Sequence, residues 1–122
     1  MLGNIVGDIV GSVYEFHNCR SERFPLFTRQ STFTDDTVLT VAVADVLIHG
    51  GGYAQRFKEY YNRFPFCSYG AKFHTWASSA GLEPYHSFGN GSAMRVAPVA
   101  YAFDRIGEVL KEAKKSAEVT HN

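Results

Sequence analysis

A chain of 122 residues has room for one domain with a hydrophobic core and little more. Apolar residues make up 45%, aromatics 15%, and the formal net charge is zero, so nothing in the composition favours nucleic acid or an anionic membrane surface. Cys19 and Cys67 lack C-x-x-C spacing and form no disulfide framework, so a reducing compartment, the cytoplasm, is the expected address.

The first segment runs from Met1 to about Asn18. Leu2, Ile5, Val6, Ile9, Val10 and Val13 recur at helical spacing. Asn4 and Asp8 interrupt the apolar run and no basic leader precedes it, so it reads neither as a membrane span nor as a signal peptide. Gly3, Gly7 and Gly11 line one strip, each costing about 1 kcal/mol of helix propensity relative to alanine. Close approach of a backbone or ligand would explain them, and so would a helix–helix contact. Asp8, Ser12 and Glu15 share a face, either solvated or functional.

Asn18 to Ser31 reads as an irregular loop broken at Pro25, with Phe24, Leu26 and Phe27 expected to tuck onto the core. The loop delivers the chain to Phe33-Thr34-Asp35-Asp36-Thr37. Thr34 is a good N-cap, which puts Asp35 and Asp36 in a first helical turn, where the backbone favours negative charge. Two readings stand side by side. Cap and acids can serve helix stability alone. Equally, two carboxylates and a hydroxyl give the oxygen ligands that a hard cation such as Mg²⁺ or Mn²⁺ prefers.

Val38 to His49 is apolar on almost every side, the pattern of a central buried helix, and Gly50-Gly51-Gly52 ends it. Tyr53 to Phe64 is amphipathic, with Ala54, Phe57, Tyr60, Tyr61 and Phe64 inward, and Pro65 stops it. Gly70 to Ser79 predicts a shorter helix carrying Phe73, Trp76 and Ala77; Gly81 to Phe88 is a turn-rich linker. Ser87-Phe88-Gly89-Asn90-Gly91-Ser92-Ala93-Met94-Arg95 then leads into helical spacing at Val96, Val99, Ala100 and Phe103, with Pro98 in its first turns or at a kink. Small residues at a helix start expose backbone amides, so this is either an anion cradle or a glycine-rich entry without a ligand. Asp104 is the expected cap of a last helix, Arg105 to about Val119, with Ile106, Val109, Leu110, Ala113 and Ala117 inward. No segment alternates with period two, so the predicted class is all-α in one domain, 1–122.

Four blocks carry a resemblance: Gly7-Asp8-Ile9-Val10-Gly11-Ser12-Val13-Tyr14-Glu15, Phe33 to Thr37, Pro84 to Arg95, and Val119-Thr120-His121-Asn122. In that order they resemble the ADP-ribosylglycohydrolase family, of the dinitrogenase-reductase-activating glycohydrolase type. The resemblance implies an all-α orthogonal helical domain with a two-Mg²⁺ site. It implies hydrolysis of the glycosidic bond joining ADP-ribose to a protein side chain or a small acceptor. It implies Thr34, Asp35 and Asp36 as metal ligands, with Glu15 and Asp36 catalytic. Phe88, Gly89, Asn90, Gly91, Ser92, Met94 and His121 would contact substrate. The chemistry is consistent, because cleavage at an anomeric carbon builds oxocarbenium character that carboxylates stabilise.

The family domain is roughly twice as long, and its second half supplies an Asp-x-Asp-Thr/Ser motif that does not occur after Thr37 here. The expectation is therefore a truncated form of the domain. Self-association covering the missing half, or a non-catalytic ADP-ribose-binding or structural remnant, are the alternatives to an active hydrolase.

Overall fold

The computed structural model describes residues 1–122, and no β-strand occurs in it. Seven helices follow one another: α1 (Leu2–Gly11), α2 (Asp35–His49), α3 (Tyr53–Arg63), α4 (Ala71–Ser78), α5 (Gly91–Met94), α6 (Ala97–Ala102) and α7 (Ile106–Glu118). The all-α class expected from the sequence is the class observed.

α2 is the axis of the molecule, packing against α1, α3, α5 and α6. Thr34 caps it, its hydroxyl accepting the Asp36 amide at 3.3 Å, and Asp35 and Asp36 occupy the first turn. Gly50 closes it at φ +80°, a conformation that glycine adopts without penalty. Leu39, Ala42, Val43 and Val46 meet Tyr53, Ala54, Phe57 and Tyr61 of α3, Phe73, Trp76 and Ala77 of α4, and Val99 of α6. Burying a side chain such as Phe57 contributes about 2–3 kcal/mol, so this cluster is what holds α2 rigid.

α1 lies on the surface and buries no residue completely. It ends at Gly11 rather than near Asn18; Ser12 to His17 form turns. The Ser12 hydroxyl donates to Ile9 O and accepts the Thr32 amide, which draws the chain off the helix axis and onto the approach to α2. Phe24, Leu26 and Phe27 stay exposed instead of tucking onto the core. The loop is held by Tyr14, whose hydroxyl donates to Pro25 O and whose ring meets Phe24 edge-on. Phe64, expected inward, is exposed and meets the likewise exposed Phe33 ring edge-on.

Pro98 sits in the first turn of α6. Its ring nitrogen has no proton to give the Met94 carbonyl, so the helix breaks at Arg95–Val96 and leaves α5 as a single turn. The small residues of Ser87 to Arg95 therefore lead into a single helical turn and not into the start of a long helix. Asp104 makes no capping bond: α7 starts one residue later, with Arg105 as its N-cap. Val109, Ala113, Ser116 and Ala117 turn inward, while Ile106 and Leu110 face solvent at 73% and 63% exposure, so the inner stripe is rotated from the expected one.

Candidate functional site

The site begins where α1 meets the start of α2. Asp8 points at the first turn of α2 and takes three hydrogen bonds from it. Its Oδ1 accepts the Thr34 hydroxyl at 2.6 Å. Its Oδ2 accepts the amides of Thr34 at 2.8 Å and Thr37 at 3.1 Å. The unbonded amides of a helix start are thus satisfied by a carboxylate from another helix. The Thr34 proton is committed to Asp8, and the same oxygen accepts from Asp36 N, leaving it one lone pair.

Behind that cap the acids accumulate. Burial pushes the Asp35 carboxyl up to about 7, with Asp36 next in effect and smaller contributions from Glu15 and Asp8. Burial also raises Asp36, followed by the charges of Asp8 and Glu15. No lysine or arginine offsets either group, so the pocket holds negative charge without a counter-ion of its own. That donor set, carboxylates and a hydroxyl, suits a hard cation. No three His, Cys, Asp or Glu side chains converge as a ligand cluster, so the acids line a wall rather than close a cage.

These residues line a cavity of about 600 Å³ that includes Gly7, Asp8, Gly11, Ser12, Glu15, Thr34, Asp35, Asp36 and Tyr69. Gly7 and Gly11 border this space, and a Cβ at Gly3, Gly7 or Gly11 would meet nothing within 4 Å. Gly7 and Gly11 thus leave one wall of the cavity low, and no other helix of this chain packs against the strip at Cβ distance. Tyr69, stacked on Phe73 and edge-on to Tyr61, presents a buried hydroxyl without a partner; burial raises its pKa.

A second cavity, of about 380 Å³, adjoins the first through Asp35, Gly70, Asn90 and Met94, which line both. Its far side is the Ser87–Gly91 loop, with Phe88, Tyr85, Arg95 and His121. The loop is pinned to the C-terminal segment: the Ser87 amide donates to Thr120 O at 2.8 Å, and His121 Nε2 lies 3.0 Å from Gly89 O. Phe88 is 95% exposed, with the Lys72 ammonium 5.8 Å from its ring centre.

Of the residues singled out in the sequence, Glu15, Thr34, Asp35 and Asp36 share the larger cavity. Phe88, Gly89, Gly91 and His121 line the smaller one, and Asn90 and Met94 line both. Ser92 lines neither. Sequence reasoning gave no site role to Asp8, Tyr69 or Arg95. Asp8 carried one signal, a carboxylate beside the glycine strip; Tyr69 and Arg95 are drawn in only by tertiary packing.

The family model described as ADP-ribosylglycohydrolase matches residues 1–122, the whole chain. The chain belongs to the ADP-ribosylglycohydrolase family. It is 30% identical over 152 aligned positions to the ADP-ribosylhydrolase ARH3 of Xenopus tropicalis, covering 99% of this chain and 43% of that protein. The human ADP-ribosylhydrolase ARH3 is 29% identical over 156 positions, with 99% and 43% covered. The Gallus gallus protein of the same name is 33% identical over 109 positions, with 74% and 30% covered. The chain thus spans less than half the length of these relatives. Within this ADP-ribosylglycohydrolase chain, both cavities are built from the blocks that carried the resemblance, together with Phe16, Leu39, Ser68-Tyr69-Gly70 and the first turn of α4. No helix is long and apolar enough to cross a membrane.

Proposed function

We propose that this chain carries the first half of a cation-dependent hydrolase site that cleaves the glycosidic bond between ADP-ribose and a protein side chain or small acceptor. One observation carries the reading: an acidic wall without a counter-ion opens at Asp35 into a second cavity walled by the Gly89–Gly91 loop and His121. Ribose and scissile bond sit over the first, diphosphate and nucleoside in the second. Thr34 Oγ1, Asp35 and Asp36 would hold Mg²⁺, with Mn²⁺ able to replace it and two ions expected in the complete family site. Positions these side chains do not fill fall to water and to ligands outside the 122 residues. Such a cation, when bound, would supply Lewis-acid charge and make water a better nucleophile.

The protein groups do the rest. Glu15 is exposed on the cavity wall, placed to accept a proton from the attacking water. Asp36 faces the growing positive charge at the anomeric carbon. Phe88 stacks on the nucleoside, while Gly89, Asn90, Gly91, Met94 and His121 shape the wall for the diphosphate; Ser92 lies outside the lining, in α5. The test is Mg²⁺-dependent release of ADP-ribose from a modified peptide, by this chain and by a full-length homologue. Asp35→Ala with Asp36→Ala is expected to abolish turnover, and undiminished release would sink the assignment.

A second reading draws on the open ligand wall. With no closed cage, the chain alone is a binder of ADP-ribose without turnover. Calorimetry separates the two: binding independent of Mg²⁺ and without hydrolysis favours the binder.

A further inference from the structure

Arg95 is the largest of the fully buried side chains, at 1% exposure, and no carboxylate pairs with it. Its guanidinium lies 4.3 Å from the centre of the Phe57 ring, and Nη2 donates to Ser116 O at 3.0 Å and to Thr120 Oγ1 at 2.7 Å. A charge buried this deeply without an acid is costly, so its hydrogen bonds are short and directed.

The chain of bonds continues. Thr120 Oγ1 is 2.7 Å from His121 Nδ1, and His121 Nε2 is 3.0 Å from Gly89 O. A carbonyl only accepts, so Nε2 carries the proton. In the neutral ring Nδ1 is then bare and needs a donor. Thr120 is that donor, since its own oxygen already accepts from Arg95. Thr120 Oγ1 also lies 3.3 Å from Ala117 O, a longer contact than the 2.7 Å to Nδ1, so with the ring neutral the protons run Arg95 to Thr120, Thr120 to His121 and His121 to Gly89, while Arg95 Nε has no partner.

We propose that Arg95 is a positioning residue which, through Thr120 and His121, fixes the imidazole in its Nε2–H tautomer and holds the Gly89 carbonyl, and with it the loop that walls the smaller cavity. The loop is held by this relay together with the Ser87–Thr120 bond, the His86 Nδ1 contact with Asn122 O at 3.1 Å and the Gly89 amide donating to Ser87 Oγ. The effect on ligand affinity rests on the ADP-ribose reading; the relay itself does not.

Thr120→Val removes the hydroxyl at nearly constant shape, and Thr120→Ser restores it. Nitrogen NMR of the imidazole is expected to show a single Nε2–H tautomer in the wild type and Thr120→Ser, and a mixture in Thr120→Val. Hydrogen exchange at Gly89 to Gly91 and the dissociation constant for ADP-ribose should each rise about tenfold in Thr120→Val, the scale of one lost hydrogen bond. Recovery in Thr120→Ser distinguishes the relay from a general loss of packing. An Nδ1–H tautomer in the wild type overturns the proposal, as does a Thr120→Val protein with unchanged tautomer and exchange. Should the wild type show the tautomer and the protected loop yet bind no ADP-ribose, the functional reading fails and the relay stands.

Discussion

Asp8 and Thr34, 26 residues apart, are joined twice: hydroxyl to Oδ1 at 2.6 Å and amide to Oδ2 at 2.8 Å. With the Thr37 amide as a third donor, one carboxylate both caps α2 and orients the hydroxyl that faces the acidic cavity. Hydrogen bonds to a charged acceptor contribute more than neutral ones, so Asp8→Ala should cost about 2–3 kcal/mol in urea unfolding. Asp8→Asn keeps an acceptor and should cost less. A loss below about 0.5 kcal/mol for Asp8→Ala would show that the cap is carried by Thr34 alone.

Asp35 makes stability depend on pH in an unusual direction for a carboxylate. Burial and its acidic neighbours raise its folded pKa from 3.8 to about 7. Between those values the folded state binds more protons than the unfolded one, so stability falls as pH rises through that window. The contribution is fully present below about pH 4 and gone above about pH 7. Asp35→Asn should therefore be the more stable protein at pH 8 in chelator, by roughly 1 kcal/mol once solvent screening is allowed for, or about 4 °C in melting temperature. At pH 4 and below the two should melt together. Equal melting temperatures at pH 8 would mean that the acids repel one another less than their burial implies.

Gly91 separates space from fold. An added Cβ would stand 3.6 Å from His121 Cε1 and 3.9 Å from Met94 Cε, which is ordinary contact. Gly91→Ala should fold with little change in stability. Gly91→Val brings two further methyl groups into the smaller cavity and should weaken ADP-ribose binding by at least tenfold, a loss of about 1.4 kcal/mol. Calorimetry on both variants checks this; equal affinity would place the ligand elsewhere.

The parts that the sequence made legible are those set by local physics. Thr34 as cap, Asp35 and Asp36 in the first turn and Gly50 as terminator follow from which groups a helix end leaves unbonded. The apolar spacing of Tyr53 to Phe64 was enough to locate α3, which ends one residue sooner at Arg63, and most of its buried face. What escaped was decided by distant partners. α1 ends early because Ser12 is bonded to Thr32. The inner face of α7 includes Ser116, followed by buried Thr120, and not Ile106 and Leu110; buried Arg95 donates there to the Ser116 carbonyl and the Thr120 hydroxyl. Nothing local marks Arg95 as buried; Phe57, Ser116 and Thr120 reach it from α3, α7 and the segment after α7.

Lys58 ties the support of the smaller cavity to the core. Its ammonium donates to Trp76 O and, at 2.7 Å, to Ser79 O, while lying 4.5 Å from the centre of the Trp76 ring. A cation at the C-terminal end of α4 thus satisfies carbonyls that the helix leaves open. Burial lowers its pKa. Lys58→Met keeps the aliphatic stem and deletes the charge, so the expected loss is that of the bonds alone, about 1–2 kcal/mol. Because the first turn of α4 lines the smaller cavity through Ala71, Lys72 and Phe73, loosening the far end should also raise hydrogen exchange along Ala71 to Ser78. Lost stability without faster exchange in α4 would mean that the lysine acts on α3 instead.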